Sequence, residues 1–269
     1  MTAATGPSAE RPAKPRPSIV VPIGLVVFAA LTWASASEQF GIGLDIGELI
    51  ADITRGAGIL GELGDPNWEF LPRTVDPMIE TFQMAVLASV IGCTVALPIA
   101  FLASRVTAPN LPTFLGDRTI LSGVRAIPDI LYALVFVAAV GIGPLGGIAA
   151  LTFFNIGVVA KLLSETVDGV DPGPIEAARA AGGNRLQTVR WSVLPQVLPN
   201  YIAYSLYTFE LNIRASTVIG IVGAGGIGYL LQTQYRFFAW SNVSVIIIEL
   251  FVFVFLIETL SIWLRRRLV

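Results

Sequence analysis

The stretch Gly173-Pro174-Ile175-Glu176-Ala177-Ala178-Arg179-Ala180-Ala181-Gly182-Gly183-Asn184-Arg185, followed by Leu194-Pro195, decides how this chain is read. Pro174 suits a first helical position, with Gly173 as the N-cap. Glu176 then falls in the first turn, where its charge favours the helix dipole and can reach unpaired backbone donors. Ala177, Ala178, Ala180 and Ala181 give high helix propensity with little side-chain bulk, so another surface can approach closely. Gly182-Gly183 supplies the backbone freedom for a sharp stop. Asn184 reads as a second N-cap, with Gln187 as its capping-box partner. The product is a helix–turn–helix with a basic second half, Arg185 and Arg190, set between long apolar segments. Spacing alone fits an ordinary surface hairpin as well as a docking element.

The surrounding composition places that loop at a membrane. Of 269 residues 54% are hydrophobic and 13% are charged, with a mean hydropathy of +0.74. A soluble domain carries about 25% charged residues. Apolar runs of spanning length make the chain an integral membrane protein. The single cysteine, Cys93, excludes an intrachain disulfide. Without histidine, zinc and haem sites of the usual kind are excluded as well, and no metal site is expected.

Residues 1–17 read as a disordered basic arm carrying Arg11, Lys14 and Arg16. Residues 18–36 are apolar but short for a span, and end on Ala34-Ser35-Ala36, a pattern shared with signal-peptidase sites. Retention as a first helix is expected; cleavage is the alternative. Residues 37–76 form an acidic segment, in which 46–60 has the pattern of an interfacial amphipathic helix. Trp68, Phe70 and Pro72 read as an interfacial anchor before the next span. Five further spans are expected, at 78–103, 119–140, 145–163, 201–221 and 243–264, within a transmembrane domain covering 77–269. The loop opened above, 168–191, lies inside it. With six spans, 13 of the 17 basic residues fall on the side of the termini and three on the other, with Arg214 inside a span. The positive-inside rule therefore places both termini and the Glu176 loop in the cytoplasm.

Glu176-Ala177-Ala178, Gly182 and Leu194-Pro195 resemble the EAA loop of ABC-importer permeases in both identity and spacing. Ser192 departs from that pattern, standing where the family has an aliphatic residue. Arg125-Ala126-Ile127-Pro128-Asp129, Gly141–Gly147, Glu210–Thr217, Leu194–Pro199 and Val222–Gly228 resemble the permeases of phosphonate importers, over about residues 70–269. Methionine-importer permeases share the glycine-rich segment and the loop. The resemblance implies an all-α polytopic fold of the type I importer permease kind. It implies that Glu176, Ala177, Ala178, Gly182, Gly183 and Arg185 couple the chain to two copies of a cytoplasmic ATPase. It also implies a second copy of the chain, an extracytoplasmic binding protein and a phosphonate or related oxyanion as cargo. ATP and magnesium would sit on the ATPase. This chain has no phosphate-binding G-x-x-x-x-G-K-[ST] loop, its only lysines being Lys14 and Lys161.

Inside the apolar segments, Glu210 and Arg214 share a helix face and can pair, and Arg125 and Asp129 repeat the spacing. Structural ion pairs are one reading. The sharper one has Arg214, with Asn212, lining the path of an anion, because a guanidinium fork matches phosphonate oxygens. Glu249 and Glu258 are expected to face inward. Gly223-Ala224-Gly225-Gly226-Ile227-Gly228 matches G-x-G-x-x-G formally, but no strand precedes it, so a turn or re-entrant loop at the translocation entrance is expected. Two other classes fit less well. A secondary transporter calls for inverted repeats and leaves the Glu176 loop unexplained. An enzyme calls for a nucleophile with a base, and Cys93 has none in sight. No catalytic residue and no nucleic-acid partner are expected.

Overall fold

A computed structural model describes residues 20–37 and 46–268. The basic arm expected at 1–17 lies outside the described residues. The chain divides into two units, Met1–Gly58 and Ile59–Val269. The first holds α1 (Val20–Ala36) and most of α2 (Ile46–Leu63), which runs on across the boundary. α1 has 17 residues, no charge and no buried side chain, a composition suited to lipid. α2 covers the stretch in which the sequence shows an amphipathic pattern.

The second unit begins earlier than residue 77, because 59–76 packs into it. A 3₁₀ turn at Trp68–Arg73 buries Phe70 against Met78, Ile227 and Ile246, while Trp68 stays exposed. α3 (Val75–Leu102) follows, then α4 (Leu111–Ala126), α5 (Asp129–Val140) and α6 (Pro144–Asp168). The loop helices are α7 (Pro172–Ala180) and α8 (Arg185–Thr188). α9 (Leu194–Ile219), α10 (Gly226–Arg236) and α11 (Trp240–Leu268) complete the chain. The most extensive packing is between α3 and α6. α3 buries Ala85, Ala88, Ser89, Gly92, Cys93, Ala96 and Ala100 along one stripe, and α6 answers with Gly147, Ala150, Gly157 and Ala160. Small side chains let helix backbones approach where lipid gives no hydrophobic drive to associate.

Among the described residues α3, α6 and α11 are each long and apolar enough to cross a membrane. Two bent pairs, α4 with α5 and the α9 region with α10, bring the number to five, and α1 is a shorter apolar helix. The expected span 119–140 is thus not continuous: α4 and α5 meet at 87°. Pro128 has no N–H and pushes Ile127 to φ −91°, ψ 123°, which ends α4. Arg125 and Asp129 therefore do not share a helix and form no ion pair. Asp129 instead accepts a hydrogen bond from the Ile130 N–H (2.9 Å) in the first turn of α5.

Candidate functional site

The helix of the Glu176 loop starts two residues before the expected place, so Glu176 lies beyond the first turn rather than in it. Asp171 is its N-cap, accepting from the Gly173 N–H at 2.9 Å, and Pro172 rather than Pro174 opens the first turn. An aspartate cap is stronger than a glycine one, and proline is preorganised for the position that follows. Ile175 is buried and fixes the helix to the core formed by α3, α6 and α9. Glu176, Ala177, Arg179 and Ala180 point outward and are exposed. The helix ends in a Schellman motif: Gly182 donates to Arg179 O (3.0 Å) and Gly183 to Ala178 O (2.9 Å). Gly182 has φ +81°, where a side chain would be strained. The expected capping box of Asn184 and Gln187 is formed in both directions.

Ser192, the departure from the family pattern, has a local role. It is buried, and its hydroxyl donates to Pro174 O at 2.9 Å, tying α7 to the chain leading into α9. Gln196 spans the base of the loop, accepting from the Asp171 N–H (3.0 Å) and donating to Ser192 O (2.7 Å). A π turn at Val189–Val193 joins α8 to α9. Arg185 donates to the carbonyls of Thr107 and Ala108, binding the loop to the connection between α3 and α4. That connection is pinned by Asp168, which accepts from Ser104 Oγ, the Arg105 N–H and Arg118 Nη2, each at 2.7 Å. Ser192, Gln196 and Asp168 were not singled out as site residues from sequence. The Asp171-Pro172 pair was the legible signal for the true helix start.

Glu210 and Arg214 do pair, at 2.6 Å, and the pair belongs to a larger network. Arg214 also reaches Glu258 (3.1 Å), and Glu210 also accepts from Arg265 (3.2 Å), so α9 and α11 are held by alternating charges. Asn212 is fully buried on another face, where its Nδ2 donates to Ser89 Oγ of α3 at 2.7 Å. The structure therefore does not bring Asn212 and Arg214 together. Glu249, on α11, keeps a buried carboxylate oxygen without a hydrogen-bond partner.

Gly223–Gly228 forms a turn. It sits inside the bent pair, where α9 passes through a π turn at Gly220–Ala224 into α10 at 60°. Gly223, Gly225 and Gly226 have φ of +95°, +81° and +69°. Two contacts fix the bend: Gly143 donates to Gly223 O (2.9 Å), and the Ile227 N–H donates to Thr81 Oγ1 (2.8 Å). A Cβ on Gly228 would collide with Thr217 O, and one on Gly225 would lie 2.7 Å from Glu80 Oε1. The glycines serve close packing at the level where α6 begins.

A loop of this shape, carried on this helical arrangement, has counterparts. Residues 97–269 match the family described as binding-protein-dependent transport system inner membrane component. The chain belongs to this family. It is 41% identical over 213 residues to the phosphate-import permease protein PhnE of Mycolicibacterium smegmatis, covering 79% of this chain and 40% of that one. It thus spans less than half of that relative. It is 37% identical over 224 residues to the phosphite transport system permease protein PtxC of Stutzerimonas stutzeri, covering 83% of this chain and 82% of that one. A chain of the MetNI methionine ABC transporter, in an inward-facing conformation, superposes with a TM-score of 0.66 at 23% identity. That superposition covers 76% of this chain and 99% of the other. The fold is that of a type I importer permease, and the chain is a transport component of the inner membrane rather than an enzyme.

Proposed function

We propose that this permease carries a phosphorus oxyanion, phosphonate or phosphite, inward across the cytoplasmic membrane under ATP hydrolysis by a separate subunit. One observation carries the coupling half of the reading: the Glu176 loop is a capped helical hairpin whose outer face, Glu176, Ala177 and Ala180, is left exposed while Ile175 roots it in the core. The cargo half is supported by relatives named for phosphate and phosphite import. Two copies of the chain pair in the bilayer and present two loops to two ATPase subunits, with ATP and magnesium held there. The positive-inside count supports a cytoplasmic side for the termini and the loops, opposite an outer face. A binding protein delivers the anion to that outer face. Closure of the ATPases moves the loops, and the helices switch between outward- and inward-open arrangements.

The charge network bears on where selectivity resides. Arg214 faces two carboxylates, so its charge is neutralised within the chain. An oxyanion passing here meets no uncompensated guanidinium at that position, and selection rests chiefly with the binding protein.

Liposomes holding the permease and its ATPase, supplied with the binding protein, test this. Hydrolysis should rise when the binding protein is loaded with phosphite or methylphosphonate, and stay basal with methionine. Stimulation by methionine would overturn the cargo assignment, and gradient-driven uptake without ATP would overturn the importer reading.

A further inference from the structure

A half-enclosed cavity of about 300 Å³ opens between the end of α7, α8 and the connection from α3 to α4, lined by Thr107, Ile175, Arg179, Gly183, Arg185 and Thr188 among others. Ile175 and Val193 give it an apolar floor, and two guanidinium groups stand at its wall. No carboxylate lines it. Four other cations of the second unit have acidic partners: Arg118 with Asp168, Lys161 with Glu165, and Arg214 and Arg265 with Glu210. Arg105 and Arg190 lie over Phe114 and Trp191. Arg179 forms no hydrogen bond or ion pair among the described residues, and Arg185 bonds only to backbone carbonyls, those of Thr107 and Ala108. Two exposed cations that line one cavity without a counter-charge create a local field that favours an anion.

We propose that this cavity is a socket for an Asp or Glu side chain of the ATPase subunit. The inference rests on the coupling reading above and extends it to a specific contact. Charge complementarity supplies the first argument. The second is continuity: Arg179 and Gly183 belong to the same helix end whose outer face carries Glu176 and Ala180. Leu186, 81% exposed beside the socket, provides an apolar contact to flank the ion pair. Glu176 and Arg179 then offer the partner opposite charges one helical turn apart, which fixes the register of docking as well as its strength.

The test titrates the full-length permease in detergent with its purified ATPase subunit, comparing wild type, Arg179→Glu, Arg179→Lys and Arg190→Glu. Arg179 is exposed, so folding should survive, and size-exclusion profiles check that. Arg179→Glu should weaken binding roughly tenfold or more, Arg179→Lys should keep most of the affinity, and Arg190→Glu should change it by about twofold at most. One acid-to-lysine exchange on the ATPase should restore binding to Arg179→Glu. Equal affinity of wild type and Arg179→Glu, or an equal loss in Arg190→Glu, would overturn the socket. So would unchanged ATPase affinity accompanied by loss of co-purified phosphatidylglycerol, since a lipid headgroup would then be the occupant. If wild type binds no ATPase, the coupling reading itself fails and the socket falls with it.

Discussion

Ser192 shows at the residue scale why the loop holds its shape. Its hydroxyl replaces an aliphatic contact with a directed bond to Pro174 O, and the residue is buried. Ser192→Ala should loosen α7 by about 1 kcal/mol while leaving the helices intact. Hydrogen exchange at Ile175–Ala178 should rise, with bulk thermal stability little changed. Gly228 is the opposite case. Gly228→Ala drives a methyl into Thr217 O and should lower the melting temperature in detergent sharply, whereas Gly123→Ala, with open space around it, should be neutral or stabilising by up to about 1 kcal/mol. The second cap was legible at this scale because Asn184 and Gln187 act over three residues, whereas the first was placed at Gly173 instead of Asp171. The Ser192 bond was not, because its acceptor is a carbonyl 18 residues away in sequence.

At the scale of elements, α9 is bounded by π turns at both ends, Val189–Val193 and Gly220–Ala224. It runs from the base of the coupling loop to the glycine bend, and the Glu210 network joins it to α11. π turns recur at functional sites, and here they are the natural places for the rod to change angle. The shared carboxylate is the centre of the network, with 9% of its side chain exposed against 44% for Glu258. Glu210→Leu leaves Arg265 without an acidic partner and Arg214 with Glu258 alone, and should cost about 1–3 kcal/mol, whereas Glu258→Leu should cost about 1 kcal/mol or less. Unfolding midpoints of the two variants in one detergent check the order. The apolar helices were legible from composition and length. The break at Ile127-Pro128 was passed over although proline announced it, because hydrophobicity continues across 119–140 and a span test averages over the break. α9 begins at Leu194, ahead of the span expected from residue 201, because Pro195 suits the first turn of a helix.

For the molecule as a whole, the second unit is a polytopic helical body whose coupling hairpin grows out of its own core through Ile175, Ser192 and Gln196. Rigid attachment is what a mechanical coupling element requires, since a force applied at Glu176 must move α9 rather than bend the hairpin. The family and the loop were legible because the Glu176–Gly182–Leu194 spacing is local and rare. The separation of Asn212 from Arg214 was not: they are two residues apart in sequence but face different helices, and only packing reveals that. The most direct test is ATP-driven uptake of labelled phosphite into liposomes holding the permease, its ATPase and the binding protein, for wild type and Glu176→Arg. The account predicts uptake by wild type and its loss in Glu176→Arg with the permease still folded. Uptake that persists in Glu176→Arg, or that proceeds without ATP, would contradict it.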